Sequence, residues 1–259
     1  MVDWVPIEQA RRAPGLRLVL TQGVPGPWGE AAKAIFHVKG IPYLPVAQTG
    51  GGSNDALVAW TGHANAPTAV WNDERPRAGR NEILLLAERI QPDPPLLPAD
   101  PEERALVFGL SHEIGGEDGF GWNRRLMLLA PMHAVADPTE ALARMRDTLS
   151  RRYGYSAEAA ARAPGRCAGI LDGLARRLRR QRDAGSDYLV GQGLTAADLY
   201  WATFCAIAAP LPEDLCPMGA GMRASYTVTD GPVRDALDPL LLEHRDRVYE
   251  RHLALPLDF

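Results

Sequence analysis

The sequence predicts two domains: a small α/β domain over residues 1–91 and an all-α helical domain over residues 102–259. Three observations carry this reading. Short apolar strands alternate with helices through the first part of the chain. Pro92 to Pro101, Pro-Asp-Pro-Pro-Leu-Leu-Pro-Ala-Asp-Pro, is a proline-rich linker of the kind that separates domains. Late in the chain, Thr195-Ala-Ala-Asp198 opens a long apolar helix.

Taken in order, Leu16 to Leu20 is a short apolar strand. Glu30 to Val38 reads as a helix, closed by Lys39-Gly40 with a C-cap glycine. Ile41 to Val46 follows as a strand whose prolines suit a sheet edge. Thr49 to Ser53 is glycine-rich. It lacks the lysine and the leading strand of a phosphate loop, so it reads as a flexible connection. Asp55 to Trp60 is a short helix. Ala66-Pro67 opens a strand running to Trp71, and Arg80 to Ile90 is a helix.

At the C-terminal motif, Thr195 can accept a backbone N–H of the first helical turn, and Asp198 can reach back to the N–H of Thr195. Leu194 and Leu199 occupy the positions of a hydrophobic staple. Leu199 to Ala209 is apolar nearly all round, so this helix should be buried.

This order of elements, β-α-β, loop, β, turn, α, linker, helices, spans nearly the whole chain. With the Thr195–Asp198 box and Ala66-Pro67, it resembles the cytosolic glutathione transferases. The resemblance implies a thioredoxin-like first domain and an all-helical second. It implies glutathione as cosubstrate, a small-molecule electrophile as the second substrate, and a homodimer. The implied reaction is thiol transfer, or thiol-assisted isomerisation. The alternative is a non-catalytic ligand- or protein-binding module on the same fold.

By the same resemblance, Ala66-Pro67 is cis and Ala66 presents its backbone N–H and C=O to the thiol ligand. The thiol lies over the start of the first long helix, where a hydroxyl or thiol side chain precedes a proline. Counting back from Lys39-Gly40 puts that position at Gly26, in Gly26-Pro27-Trp28-Gly29. Gly26 departs from the pattern, for it can offer only its N–H. Thr21, at a strand end, and Trp28, with an indole N–H, are the nearest side-chain donors. Each can equally be read as a strand-terminal residue or a packing aromatic. A thiolate is favoured by any such donor and by the positive end of a helix.

The family's acid–serine pair for the γ-glutamyl group would fall in Arg77 to Glu82, where Gly79 and Arg80 stand instead. Arg80 or Asn81 can hold a carboxylate, or can simply begin the helix. The electrophile pocket would be lined from Ser111 to Arg125, with His112, Trp122, Asn123 and Arg124 as candidates. That stretch is glycine-rich for a helix, a cost that close packing or a ligand can offset.

Other features point away from competing functions. The net charge of −4 gives no attraction for nucleic acid or an anionic membrane. No apolar run has the length of a membrane span, and the N-terminus does not read as a signal peptide. Three scattered cysteines and no CxxC fit a reducing cytoplasm, without a disulfide framework, dithiol chemistry or a zinc site. His112 and Glu113 lack metal-ligand helical spacing, so no metal is expected. The basic run Arg176 to Arg182 alternates with Leu174 and Leu178 at helical spacing, so its arginines form a solvated face.

Overall fold

The computed structural model describes residues 2–259. The α/β domain contains α1 (Ile7–Arg12), β1 (Leu16–Thr21), α2 (Pro27–Val38), β2 (Tyr43–Gln48), α3 (Asp55–Thr61), β3 (Thr68–Trp71) and α4 (Arg80–Ile90). Its three strands have the order β2-β1-β3. β2 runs parallel to β1, with Thr21 opposite Gln48, and β3 runs antiparallel, with Leu16 opposite Trp71. The central strand β1 is buried along its length, and only Thr21 at its end is partly open. β2 lies at the edge, where Pro45 can sit without breaking an interior ladder.

The strands and the expected helices are all present, with shifted ends. α2 begins at Pro27, a turn before Glu30, because proline is pre-organised for a first helical turn. β2 begins only after Pro42, which has no N–H for a ladder, and β3 begins after Pro67. The Ala66–Pro67 peptide is cis. Helix α1 was not anticipated. Its single buried residue, Ala10, joins Val19, Val46 and Leu57 in a small second core beneath the sheet.

The helical domain follows as α5 (Pro101–Gly115), α6 (Phe120–His133), α7 (Glu140–Tyr153), α8 (Ala157–Asp183), α9 (Ala196–Phe204), α10 (Ala220–Tyr226), α11 (Gly231–Asp235) and α12 (Pro239–His252). The stretch between α4 and α5 is no loose tether. Leu96 and Leu97 are buried, and the Ala196 N–H donates to Leu96 O at 2.9 Å.

Every residue of α9 is buried, as its all-round apolarity requires. Its α-helical part ends at Phe204 and continues as a 3-10 turn over Cys205–Ile207. α9 packs on α2, α5 and α12 and so joins the two domains. Its N-terminus is organised by Asp198. Oδ2 accepts the Thr195 N–H at 2.8 Å and the Thr195 hydroxyl at 2.7 Å. Oδ1 accepts the Leu189 N–H at 2.7 Å. The His244 ring lies against the same oxygen, Nε2 3.0 Å away but oblique to a hydrogen bond. The reciprocal capping box expected from the sequence is present, and the Thr195 hydroxyl in addition donates to Asp198.

Two glycines at the α5–α6 junction, the last of α5 and the second of α6, are explained by packing. A Cβ on Gly115 would lie 2.7 Å from Phe204 Cζ, and one on Gly121 would lie 2.4 Å from Phe204 Cε1. The Phe204 ring thus needs bare backbone on both sides. The α8 arginines form an outer face, with Arg179 paired to Asp238 and Arg182 to Glu243.

Candidate active site between the domains

A cavity of about 440 Å³ lies between the start of α2, the residue before cis-Pro67, and helices α6 and α7. Its floor is backbone. The N-cap of α2 is Gly26, with extended φ −68° and ψ 127°, and no side chain caps the helix. The Gly26 N–H turns back to Val24 O at 2.8 Å. Pro27 has no N–H, and the Glu30 N–H donates to Gly26 O at 3.0 Å. The N–H groups of Trp28 and Gly29 are left unpaired among the described residues. Ala66 also lines the cavity, and among the described residues its N–H and C=O likewise have no partner.

The two side-chain donors near this floor are engaged elsewhere. Gln48 is buried, and its amide Nε2 donates to Thr49 O at 2.8 Å and Ala64 O at 3.1 Å. That fixes its Oε1 toward Thr21, whose hydroxyl donates to it at 2.8 Å. The Trp28 indole N–H donates to Gly115 O at 3.0 Å, and its ring meets Phe204 edge-on with centroids 4.8 Å apart. Trp28 therefore ties α2 to the helical domain, and its indole N–H is already spent on Gly115.

The polar wall is built by residues that sequence reasoning did not single out. Lys33 pairs with Glu30 at 3.1 Å and with Asp258 Oδ1 at 3.0 Å, and also donates to Asp258 O. Burial raises the Glu30 carboxyl above its usual range, against the opposing pull of Lys33. Arg125, on α6, lies with its guanidinium 3.8 Å from the Trp28 ring centroid and 4.1 Å from that of Tyr153. It makes no ion pair or hydrogen bond among the described residues.

The other sequence candidates lie outside the cavity. Arg124 is buried and donates from Nε to Ile207 O at 2.8 Å, which makes it a strut between α6 and the end of α9. Asn123 is buried and donates to Asp118 O and Gly119 O, both at 2.9 Å, closing the turn before α6. Trp122 stands edge-on to Tyr153 at 6.0 Å, behind the Arg125 wall. His112 is exposed beside Gly116. Arg80 lies over the Tyr200 ring at 5.5 Å, with its Nε buried and unpartnered, and Asn81 is exposed.

The chain's own thiols are not cavity nucleophiles. Cys167, Cys205 and Cys216 are all buried, and burial pushes Cys205 up to about 11 and Cys167 up to about 12. No three metal-ligating side chains come together among the described residues. No helix among them is long and apolar enough to cross a membrane.

The arrangement is that of the glutathione S-transferase fold. Solved structures with this architecture include a glutathione S-transferase from Methylobacterium radiotolerans in complex with glutathione sulfonate. It is 22% identical, with a TM-score of 0.60 and 91% of each chain covered. The beta-etherase LigF from Sphingobium is 18% identical, with a TM-score of 0.62, and covers 90% of this chain and 95% of its own. A glutathione S-transferase from Methylobacillus flagellatus with glutathione bound is 11% identical, with a TM-score of 0.63, and covers 92% and 96%. No protein-family model matches the sequence, and no curated protein does. At these identities the likeness establishes the fold: a thioredoxin-like domain followed by an all-helical domain.

Proposed function

We propose that this chain is a glutathione-dependent transferase acting on a small electrophile. The observation that supports this most is that Trp28 and Gly29, whose N–H groups are unpaired among the described residues, line the same cavity as Ala66, whose backbone is likewise unpaired among them. Donors at a helix N-terminus favour an anion and lower the pKa of a thiol held there. Ala66 would pair with the peptide backbone next to that thiol. Bound glutathione supplies the sulfur nucleophile, which forms a carbon–sulfur bond while the leaving group departs with its electron pair. The residues fit the thiol end of glutathione better than the γ-glutamyl end. There Arg80 is drawn under Tyr200 and only Asn81 stands free.

One observation favours a second reading, a binding module without turnover. Neither Thr21 nor Trp28 has a free side-chain donor for the sulfur. Calorimetric titration with glutathione and S-hexylglutathione, followed by an assay with chlorodinitrobenzene, separates the two. The transferase reading expects binding of both ligands and thiol-dependent product. Binding without product supports the module, and absence of glutathione binding overturns the transferase reading.

A further inference from the structure

We propose that Arg125 is the anchor for a carboxylate or similar oxyanion on the second substrate, so that the cavity selects acidic electrophiles with an aromatic or apolar body. This deepens the transferase reading and rests on it for the word electrophile, but the anion site itself stands on independent geometry.

Arg125 is a half-buried cation with no hydrogen-bond or ion-pair partner among the described residues. Its guanidinium lies between Trp28 at 3.8 Å and Tyr153 at 4.1 Å. Removing a charge from water is unfavourable unless a counter-charge replaces the lost hydration. Two aromatic faces return part of that cost, but they leave the in-plane N–H donors unused. The acids in the cavity do not supply the partner. Glu30 and Asp258 are both held by Lys33. Burial depresses the Arg125 pKa from its ordinary value, although a guanidinium stays charged at neutral pH.

The site is also pre-organised. Trp28 is locked by its bond to Gly115 O and by Phe204, and Tyr153 is backed by Trp122. A planar guanidinium fixed between two fixed rings presents its fork in one direction, which suits bidentate pairing with a carboxylate. Tyr226 lines the same cavity, near enough to Arg125 for each to feel the other's charge. Burial raises its pKa, so it keeps a hydroxyl proton to donate. Arg152 lines the cavity too and has no ion pair among the described residues, so the unpaired charge on this wall is positive. Leu129 and Ile207, both buried, supply apolar surface for the rest of the ligand.

The test compares 2-naphthoate with its neutral isostere 2-naphthamide by calorimetric titration, with and without glutathione, on the wild-type chain, Arg125→Gln and Arg125→Lys. The wild type should bind naphthoate roughly 10–100-fold more tightly than naphthamide, as for a hydrogen-bonded charge pair. Arg125→Gln should abolish this preference and leave naphthamide affinity unchanged. Arg125→Lys should keep only part of it, because lysine has charge but no fork. Equal affinities for the two probes in the wild type overturn the proposal without recourse to any variant. So does a preference that survives Arg125→Gln, or an equal loss for both probes. If naphthoate is preferred while glutathione fails to bind, the anion site stands and the transferase reading falls.

Discussion

Two helix N-termini in this molecule meet the same physical demand in opposite ways. At α9 the N-cap is held by protein groups. Asp198 takes the Thr195 N–H and hydroxyl, reaches Leu189, and stands against His244. At α2 the N-cap is glycine, the next residue is proline, and the N–H groups of Trp28 and Gly29 stay open. α9 is sealed in the core, where an unpaired donor would cost stability. α2 opens on a cavity, where water or a ligand can take the same role. The contrast separates an end that holds the fold together from an end suited to receive an anion.

The largest expected effect is at the sealed end. Asp198→Ala leaves three donor groups and the His244 ring without their common acceptor, all of them buried. Stability should fall by about 3–5 kcal/mol, as when one partner of a buried polar network is removed, well beyond the roughly 0.5–2 kcal/mol of a cap alone. Urea unfolding followed by circular dichroism measures it. A loss confined to the cap range would mean that the contacts of Asp198 beyond α9 contribute little, and the contrast with α2 would shrink accordingly.

The open end can be closed deliberately. In Gly26→Asp the new side chain meets little resistance, since a Cβ there has only Val24 Cγ1 at 4.0 Å and the backbone is ordinary extended. An aspartate at this N-cap should accept the N–H of Trp28 or Gly29 and leave stability unchanged, or raise it by a few tenths of a kcal/mol. It should also repel a thiolate. Glutathione affinity is expected to drop by about tenfold or more, equivalent to roughly 1.4 kcal/mol. Calorimetry on the folded variant decides. Unchanged affinity would place the thiol away from α2.

The difference between what was readable and what was not follows from range. Strand and helix alternation, the α9 box, the proline linker and the α2 turn are all local patterns, and the sequence locates them within a few residues. The start of α2 at Gly26-Pro27 and the cis peptide at Ala66-Pro67 were readable for the same reason, since both are local. The side-chain wall was not. Along α6 each residue turns by about 100°, so Arg124 and Arg125 face different surroundings although they are neighbours. The helix mixes apolar and charged residues without a clean stripe, and nothing in its pattern says which arginine meets the cavity. Thr21 and Trp28 looked available because their partners, Gln48 and Gly115, lie 27 and 87 residues away. Asp198 read as a simple cap because His244 comes from α12.

The smallest expected effects test whether the open end works through backbone alone. Thr21→Val removes the bond to Gln48, and Trp28→Phe removes the bond to Gly115 O. Each should cost about 1 kcal/mol of stability, in line with a typical hydrogen bond, and somewhat more where the abandoned acceptor is shielded from water. Neither change touches the N–H groups of Trp28 and Gly29, nor the backbone of Ala66. Glutathione affinity should therefore stay within about twofold of the wild type in both variants, a shift of roughly 0.4 kcal/mol. Thermal unfolding and calorimetry on the same samples read the two quantities separately. A variant that keeps its melting temperature yet loses binding would show that its side chain leaves the partner seen here and turns to the sulfur, and the floor of the site would then include a side-chain donor after all.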